Sequence, residues 1–470
     1  MEKFGKKIRE ELFLLDEETT FTNHGSYGAI PKPVFEAHQD LLRSVERNVN
    51  KWFLTDLQIR YGDAIKVLAG LTGSSPSDVA FVENATTAVN AVLRSQSLGP
   101  GDGVLVTNLT YAACTNAAQV VCSDTGASLR SLEVRLPVSS KEALVQLYRK
   151  ELEAHPTTKI VLVDHISSPI SIVMPVKEIV QVCHEKGVRV IVDGAHAPGQ
   201  LALNMAEIGA DYYTGNLHKW MFCPRGCAFL YVSPSLQAQT RPLVISHDHL
   251  KSFSEAFRMQ ATRDYTPYCM LPAAVEFVNN IGGLEAISSY NRELSIWASD
   301  MLCKRWNVEP LPIAPELRSP FLAIVGLPKC FGPPTTEVRR GIARELLASF
   351  NVSTVVGIFD EKLWFRISTQ VYNTKEDYAG AAALVAEAHK LHSNGPKCQE
   401  LDWVLHSIGS GDYGCWCKEA LNTISRLASH LAIHQLSPKT SVVAEIYGQL
   451  NMTLICSIAR TILTRELPSS

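Results

Sequence analysis

The sequence lacks an excess of basic charge, an uninterrupted apolar run of membrane-spanning length and an amino-terminal leader pattern, and each lack removes a class of function. With 44 Lys and Arg against 47 Asp and Glu, the formal net charge is −3. No basic field exists to track a phosphate backbone, so nucleic acid is not an expected partner. Even the most apolar late stretch, 441–463, carries Glu445 and Arg460, which argues against a bilayer span. The opening residues, Met1 to Glu10, mix both charge signs and lead into no apolar stretch, unlike a secretory signal. The expected compartment is the cytosol. The 12 cysteines are scattered through helical and strand patterns instead of framing short loops, so they read as reduced thiols. His247-Asp248-His249 and Cys415-Trp416-Cys417 have no second ligand pair at metal-binding spacing, and no metal is expected.

What is present is a long chain able to bury a large core: 470 residues, 46% of them hydrophobic. From Val79 to Val232, seven short β-branched runs (VAFV, GVLVTNL, SLRSLEV, KIVLVDHI, VRVIVD, DYYTGN and CAFLYV) alternate with helical patterns such as Thr87 to Gln96 and Val176 to Glu185. That alternation is what an α/β fold needs, with a mostly parallel sheet covered by helices on both faces. The expected organisation is an amino-terminal segment with bracing helices over 1–75, a large domain over 76–270, a small α+β domain over 271–392 and a helical appendage over 393–470. The bracing helices are expected over Pro31 to Leu54 and Asp56 to Leu71. The small domain is expected to hold FLAIVGL, STVVGIF and LWFRIST as strands.

Two residues stand where such sheets bind ligands. The apolar run VRVIV ends in Asp193, which puts a carboxylate at the carboxyl edge of the sheet. Lys219 follows the strand pattern DYYTGN and is embedded among Leu217, His218, Trp220 and Met221. Apolar surroundings lower a lysine pKa and favour imine formation. Glu83-Asn84-Ala85-Thr86-Thr87 follows a strand and opens a helix whose free amides suit an anion. Taken alone, Asp193 reads equally as a turn former before Gly194, and the Glu83 segment reads as an ordinary helix cap. Together they fit a pyridine cofactor, with Lys219 holding its aldehyde carbon and Asp193 keeping its ring nitrogen protonated.

Six ordered segments then resemble the class V aminotransferases of the fold-type I pyridoxal-phosphate superfamily, and within them isopenicillin N epimerase-like proteins. The segments are Asn23 to Gly28, Glu83 to Thr87, Asp193 to Gly199, Thr214 to Trp220, Ala261 to Thr266 and Trp364 to Thr369. The resemblance spans roughly Phe21 to Leu391. It implies pyridoxal 5'-phosphate as cofactor, with Lys219 as Schiff-base lysine, Asp193 as partner of the ring nitrogen and His196 as neighbour of the ring hydroxyl. It further implies that Ala85, Thr86, Thr87, Asn216 and His218 cradle the phosphate. Tyr111 would lie against the cofactor face, and Thr262 would reach the phosphate from the other subunit of a homodimer. Arg366 is implied to clamp the substrate α-carboxylate, with Asn23 and His24 in a lid over the substrate. The implied activity is chemistry at the α-carbon of an amino acid, either epimerase-like or C–S lyase-like. Two enzymatic alternatives share these residues: an aminotransferase, and a cysteine desulfurase with Cys330 as the persulfide thiol. An alternative of another class is a non-catalytic cofactor-binding interaction protein.

Overall fold

The computed structural model describes residues 4–328 and 331–393. Twelve strands are present among them: β1 Thr20–Phe21, β2 Val79–Val82, β3 Gly103–Thr107, β4 Ser128–Leu132, β5 Thr158–Asp164, β6 Arg189–Asp193, β7 Tyr212–Asn216, β8 Ala228–Val232, β9 Leu322–Gly326, β10 Val352–Ser353, β11 Val355–Phe359 and β12 Lys362–Ser368. Seven of them form one sheet in the order β2-β8-β7-β6-β5-β3-β4. Only β8 runs against its neighbours; the other pairs in the row are parallel.

The apolar runs are strands because both of their faces are covered. Along β5, Val161 and Val163 enter one core with Tyr148 and Ile179. The alternate residues Ile160 and Leu162 enter a second core with Val89 and Ala118. The two-residue period of a strand therefore sends successive side chains into opposite layers. All seven expected runs occupy strands of this sheet.

The chain after β3 goes to β4 on one side, and after β4 it crosses back to β5 on the other. Such a reversal opens a crevice at the carboxyl ends of the strands. There lie Asp164, Asp193 and Asn216, the last residues of β5, β6 and β7.

A three-stranded antiparallel sheet, β11-β12-β9, stands beside it in sequence, and β1 pairs in parallel with β10. Thr22 donates its N–H to Ser353 O and accepts at its carbonyl from Ser368 N–H, at 3.0 and 2.8 Å. These ties bring the loop from Asn23 to Gly28 against β12.

The bracing region differs from the expected pair of helices. The first runs only over Lys32–Arg47, and a short turn and a π-helical turn, Trp52–Asp56, precede Leu57–Thr72. Asn48 leaves helical geometry at φ −157°, and its side chain accepts the N–H of Lys51. An asparagine capping in this way starts a new helix rather than extending the old one.

Among the described residues, those within 4–347 and 351–384 form one unit, and 348–350 with 385–393 belong to a second. The appendage expected over 393–470 lies, after its first residue, outside the described residues, as does Cys330. No described helix is long and apolar enough to cross a membrane.

Candidate active site

A cavity of about 280 Å³ lies at the strand ends, with Asp164, Asp193, His196, Lys219 and Arg366 in its wall. The loop after β7 is pinned before it reaches Lys219. Leu217 and His218 both donate their N–H to Cys227 O at 3.0 Å, and Leu217, Trp220 and Met221 are buried. Gly28 allows the amino-terminal loop to lie over this turn: its φ is +69°, and a Cβ there would overlap His218 O at 2.0 Å.

Burial pushes the Lys219 ammonium down to about 7; the Arg366 charge adds to this, while Asp193 opposes it. Near neutrality a large share of Lys219 is therefore an uncharged amine, the nucleophilic form. Its Nζ is 3.3 Å from His196 Nε2. Burial, together with the charges of Lys219 and Arg366, keeps His196 neutral, well below the usual histidine range. Its Nδ1 is buried and unpartnered.

Asp193 accepts from the N–H of Ala195 at 2.9 Å and from the thiol of Cys114 at 3.3 Å. Its neighbour across the sheet is Asp164, which takes the N–H of Tyr111 on Oδ1 at 3.3 Å and leaves Oδ2 buried without a partner. Arg366 is buried, and among the described residues it pairs with no carboxylate. Its Nη1 donates to Ser168 Oγ and O at 2.9 and 3.2 Å, and its Nη2 to Ser26 Oγ and Asn23 Oδ1 at 3.0 and 3.2 Å. The Nε is buried and unsatisfied. A buried guanidinium met only by neutral acceptors is suited to a ligand carboxylate.

At the other end of the cavity stands the helix Ala85–Arg94, two residues earlier than its sequence pattern indicates because Asn84 caps it by accepting the N–H of Thr87. Ala85 N–H donates to Asn216 Oδ1 at 3.0 Å. Thr86 lines the cavity at the helix's positive end, together with Asn216 and His218. Burial pushes His218 down to about 4, so its imidazole is neutral.

Of the residues expected in the site, Ala85, Thr86, Tyr111, Asp193, His196, Asn216, His218, Lys219 and Arg366 line the cavity. Asn23 reaches it through Arg366. Thr87 does not line it, since its N–H closes the cap. His24, expected in a lid, is a buried strut instead: its Nε2–H donates to Lys219 O at 3.0 Å and its Nδ1 accepts from Tyr372 OH at 2.8 Å. Thr262 is exposed and outside the cavity of the single chain. Asp164, Ser26, Ser168 and Cys114 were not singled out by sequence. Asp164 alone had a readable signal, since it ends an apolar strand just as Asp193 does.

A family model for aminotransferase class V matches residues 28–323, and the chain belongs to that family, whose cofactor is pyridoxal 5'-phosphate. Among its relatives is an L-cysteine desulfhydrase of Arabidopsis thaliana, 30% identical over 78% of this chain and 87% of that protein. Another is an isopenicillin N epimerase of Streptomyces clavuligerus, 28% identical over 77% of this chain and 93% of that protein. In fold, the chain is similar to the cystine C-S lyase C-DES, with a TM-score of 0.66 and 21% identity over 79% of this chain and 98% of that one. The structural likeness shows the fold-type I architecture, and the family model and the desulfhydrase relative show the family. The residues present also fit the cofactor. A poised lysine, a buried carboxylate and a helix amino terminus share one cavity, and the unpartnered Nδ1 of His196 leaves a polar atom there for a ligand to satisfy.

Proposed function

We propose that this protein is a pyridoxal-phosphate enzyme that cleaves the C–S bond of a cysteine-type amino acid, as the names of its desulfhydrase relatives indicate for them. The observation that carries the reading is a single cavity holding a buried lysine pushed down to about 7 and a buried arginine that faces no carboxylate among the described residues. Bound pyridoxal phosphate supplies a sink for the negative charge that develops at the substrate α-carbon.

The chain's own residues divide the remaining work. Lys219 Nζ would hold the cofactor and, as a neutral amine, would take the proton from the substrate Cα. Asp193 is the carboxylate that would hold a proton on the ring nitrogen, and His196 would offer a neutral imidazole to the ring hydroxyl. Thr86, Asn216 and His218, with Ala85 at the helix end, would hold the phosphate, and Tyr111 would lie against the ring. Arg366 receives the α-carboxylate, which takes the place of its neutral partners and turns the Cα–H toward Lys219. The Cα–H and Cβ–S bonds break, the sulfur leaves as sulfide with a proton, and water converts the remaining fragment to pyruvate and ammonia.

Thr262 is part of this reading as a residue that reaches the phosphate of a second subunit. The assembly is then a homodimer, and its compartment the cytosol. Return of the proton to the opposite face, an epimerase outcome, is supported by the 28% identity to isopenicillin N epimerase. Incubating the holoenzyme with L-cysteine, cysteine sulfoxides and D- and L-amino acids separates the readings. Sulfide and pyruvate support C–S lysis, whereas loss of optical rotation without sulfide supports epimerisation. A protein that binds no pyridoxal phosphate and yields neither result sinks both.

A further inference from the structure

Asp164 ends β5 as Asp193 ends β6, and the two are register partners on adjacent parallel strands. Strands paired in this way lie about 4.8 Å apart, and partnered side chains leave the sheet on the same face. Two buried carboxyls therefore crowd one wall of the cavity. Two anions so close in a water-poor site repel strongly, and a pair of this kind settles on one charge.

The hydrogen bonds decide which partner keeps it. Asp193 accepts on both oxygens, from Ala195 N–H at 2.9 Å and from the Cys114 thiol at 3.3 Å. Asp164 accepts the Tyr111 N–H on Oδ1; its Oδ2 is buried and has no hydrogen-bond partner among the described residues, and the residue is 5% exposed. A bare carboxylate oxygen in that position is costly, while a hydroxyl there is a donor awaiting an acceptor.

We propose that Asp164 works as a neutral carboxylic acid, a positioning residue that leaves the single negative charge on Asp193, holds the backbone of Tyr111 and presents an O–H at the cavity wall. Burial and the neighbouring Asp193 both hold the Asp164 carboxyl well above the usual carboxylate range, which agrees with that state. The other groups acting on it come from every element around it. Cys114 lies on the helix Ala112–Thr125 and Tyr148 on the helix Lys141–Ala154, and burial keeps both protonated. From the loop after β3, Tyr111 donates its N–H, and Thr110 also favours the charged form. Lys219, from the loop after β7, acts more on Asp193 than on Asp164.

The role toward the cofactor rests on the reading of Asp193 given above; the proton on Asp164 does not. The test uses wild type, Asp164→Asn, which keeps the shape of the neutral acid, and Asp164→Ala, which removes it. Infrared difference spectra of wild type minus Asp164→Asn, recorded on the apoprotein at neutral pH, are expected to show the carbonyl stretch of a protonated carboxyl. In titrations with pyridoxal phosphate, Asp164→Asn is expected to bind within about threefold of wild type and Asp164→Ala at least tenfold more weakly. Absence of the band, an Asn variant as damaged as the Ala variant, or an Ala variant that binds like wild type would each overturn the proposal. A wild type that binds no pyridoxal phosphate sinks the functional reading instead, and the infrared band still decides the proton.

Discussion

Replacing Arg366 with methionine keeps an unbranched stem and removes the charge, and the structure sets the size of both consequences. Burial takes the guanidinium from its ordinary value down to about 10. At about 1.4 kcal/mol per tenfold in proton affinity, holding the charge there costs about 3 kcal/mol. Against this stand four hydrogen bonds to Ser168, Ser26 and Asn23, each contributing about 1 kcal/mol net. The two nearly cancel, so Arg366→Met is expected to fold with a stability within about 2 kcal/mol of wild type. Substrate loses more: two charge-assisted bonds to the α-carboxylate amount to about 3–6 kcal/mol, or a loss of roughly 10² to 10⁴ in kcat/KM. The assay compares L-cysteine with its ethyl ester, which has no carboxylate to clamp. Wild type is expected to prefer the acid strongly, and Arg366→Met to lose that preference while retaining its ester activity. A fall of less than about tenfold for the acid, or an equal fall for the ester, would remove Arg366 from the substrate site.

The remaining predictions concern the two ends of the cofactor. Lys219→Met is expected to abolish covalent attachment of pyridoxal phosphate, read by mass spectrometry after borohydride reduction, and to lower turnover by several orders of magnitude; a labelled adduct on the variant would refute the assignment. Because Lys219 is pushed from 10.5 to about 7 by burial, its charge destabilises the fold below pH 7, and the penalty is relieved as pH rises from 7 toward 10.5. Between pH 7 and 9, apo wild type should therefore gain about 2 kcal/mol in urea unfolding relative to Lys219→Met; parallel pH curves would contradict a charged, buried lysine. Asp193→Ala is expected to cost at least a hundredfold in kcat and to shift the cofactor absorbance toward a deprotonated ring nitrogen, and an unaltered spectrum would assign that nitrogen elsewhere.

How far the sequence reveals this molecule depends on the range of the interaction concerned. The inner strands β3, β5 and β6 are legible because each is buried on both faces, which demands a nearly unbroken apolar run, and KIVLV or VRVIV records that demand locally; the edge strand β4, SLRSL, is largely exposed or half-buried and carries a weaker mark. Asp193 is legible because a charged residue ending such a run marks the sheet edge, and Lys219 because it follows the next strand pattern among apolar neighbours. The paired strands β1 and β10 have two residues each, too few for any period to appear, so the tie that carries the amino-terminal loop to β12 leaves no pattern. The break at Asn48 is a local cap signal that the longer helical rhythm on either side of it masks.

The side chains that complete the site show the limit most clearly. Ser26 and Ser168 meet Arg366 across 340 and 198 residues, and a serine carries no local mark that distinguishes a guanidinium partner from a loop hydroxyl. His24 shows the converse. Its Asn-His-Gly setting indicates an exposed turn, yet contacts 195 and 348 residues away, at Lys219 O and Tyr372 OH, draw the ring fully inside. There burial pushes the imidazole down to about 3, so it stays neutral and can donate to the backbone of the very residue proposed to hold the cofactor. A polar residue's role is thus set by which distant groups close around it: the same physics that keeps His24 neutral and structural keeps Lys219 poised and chemical, and only the cavity beside the lysine separates the two outcomes.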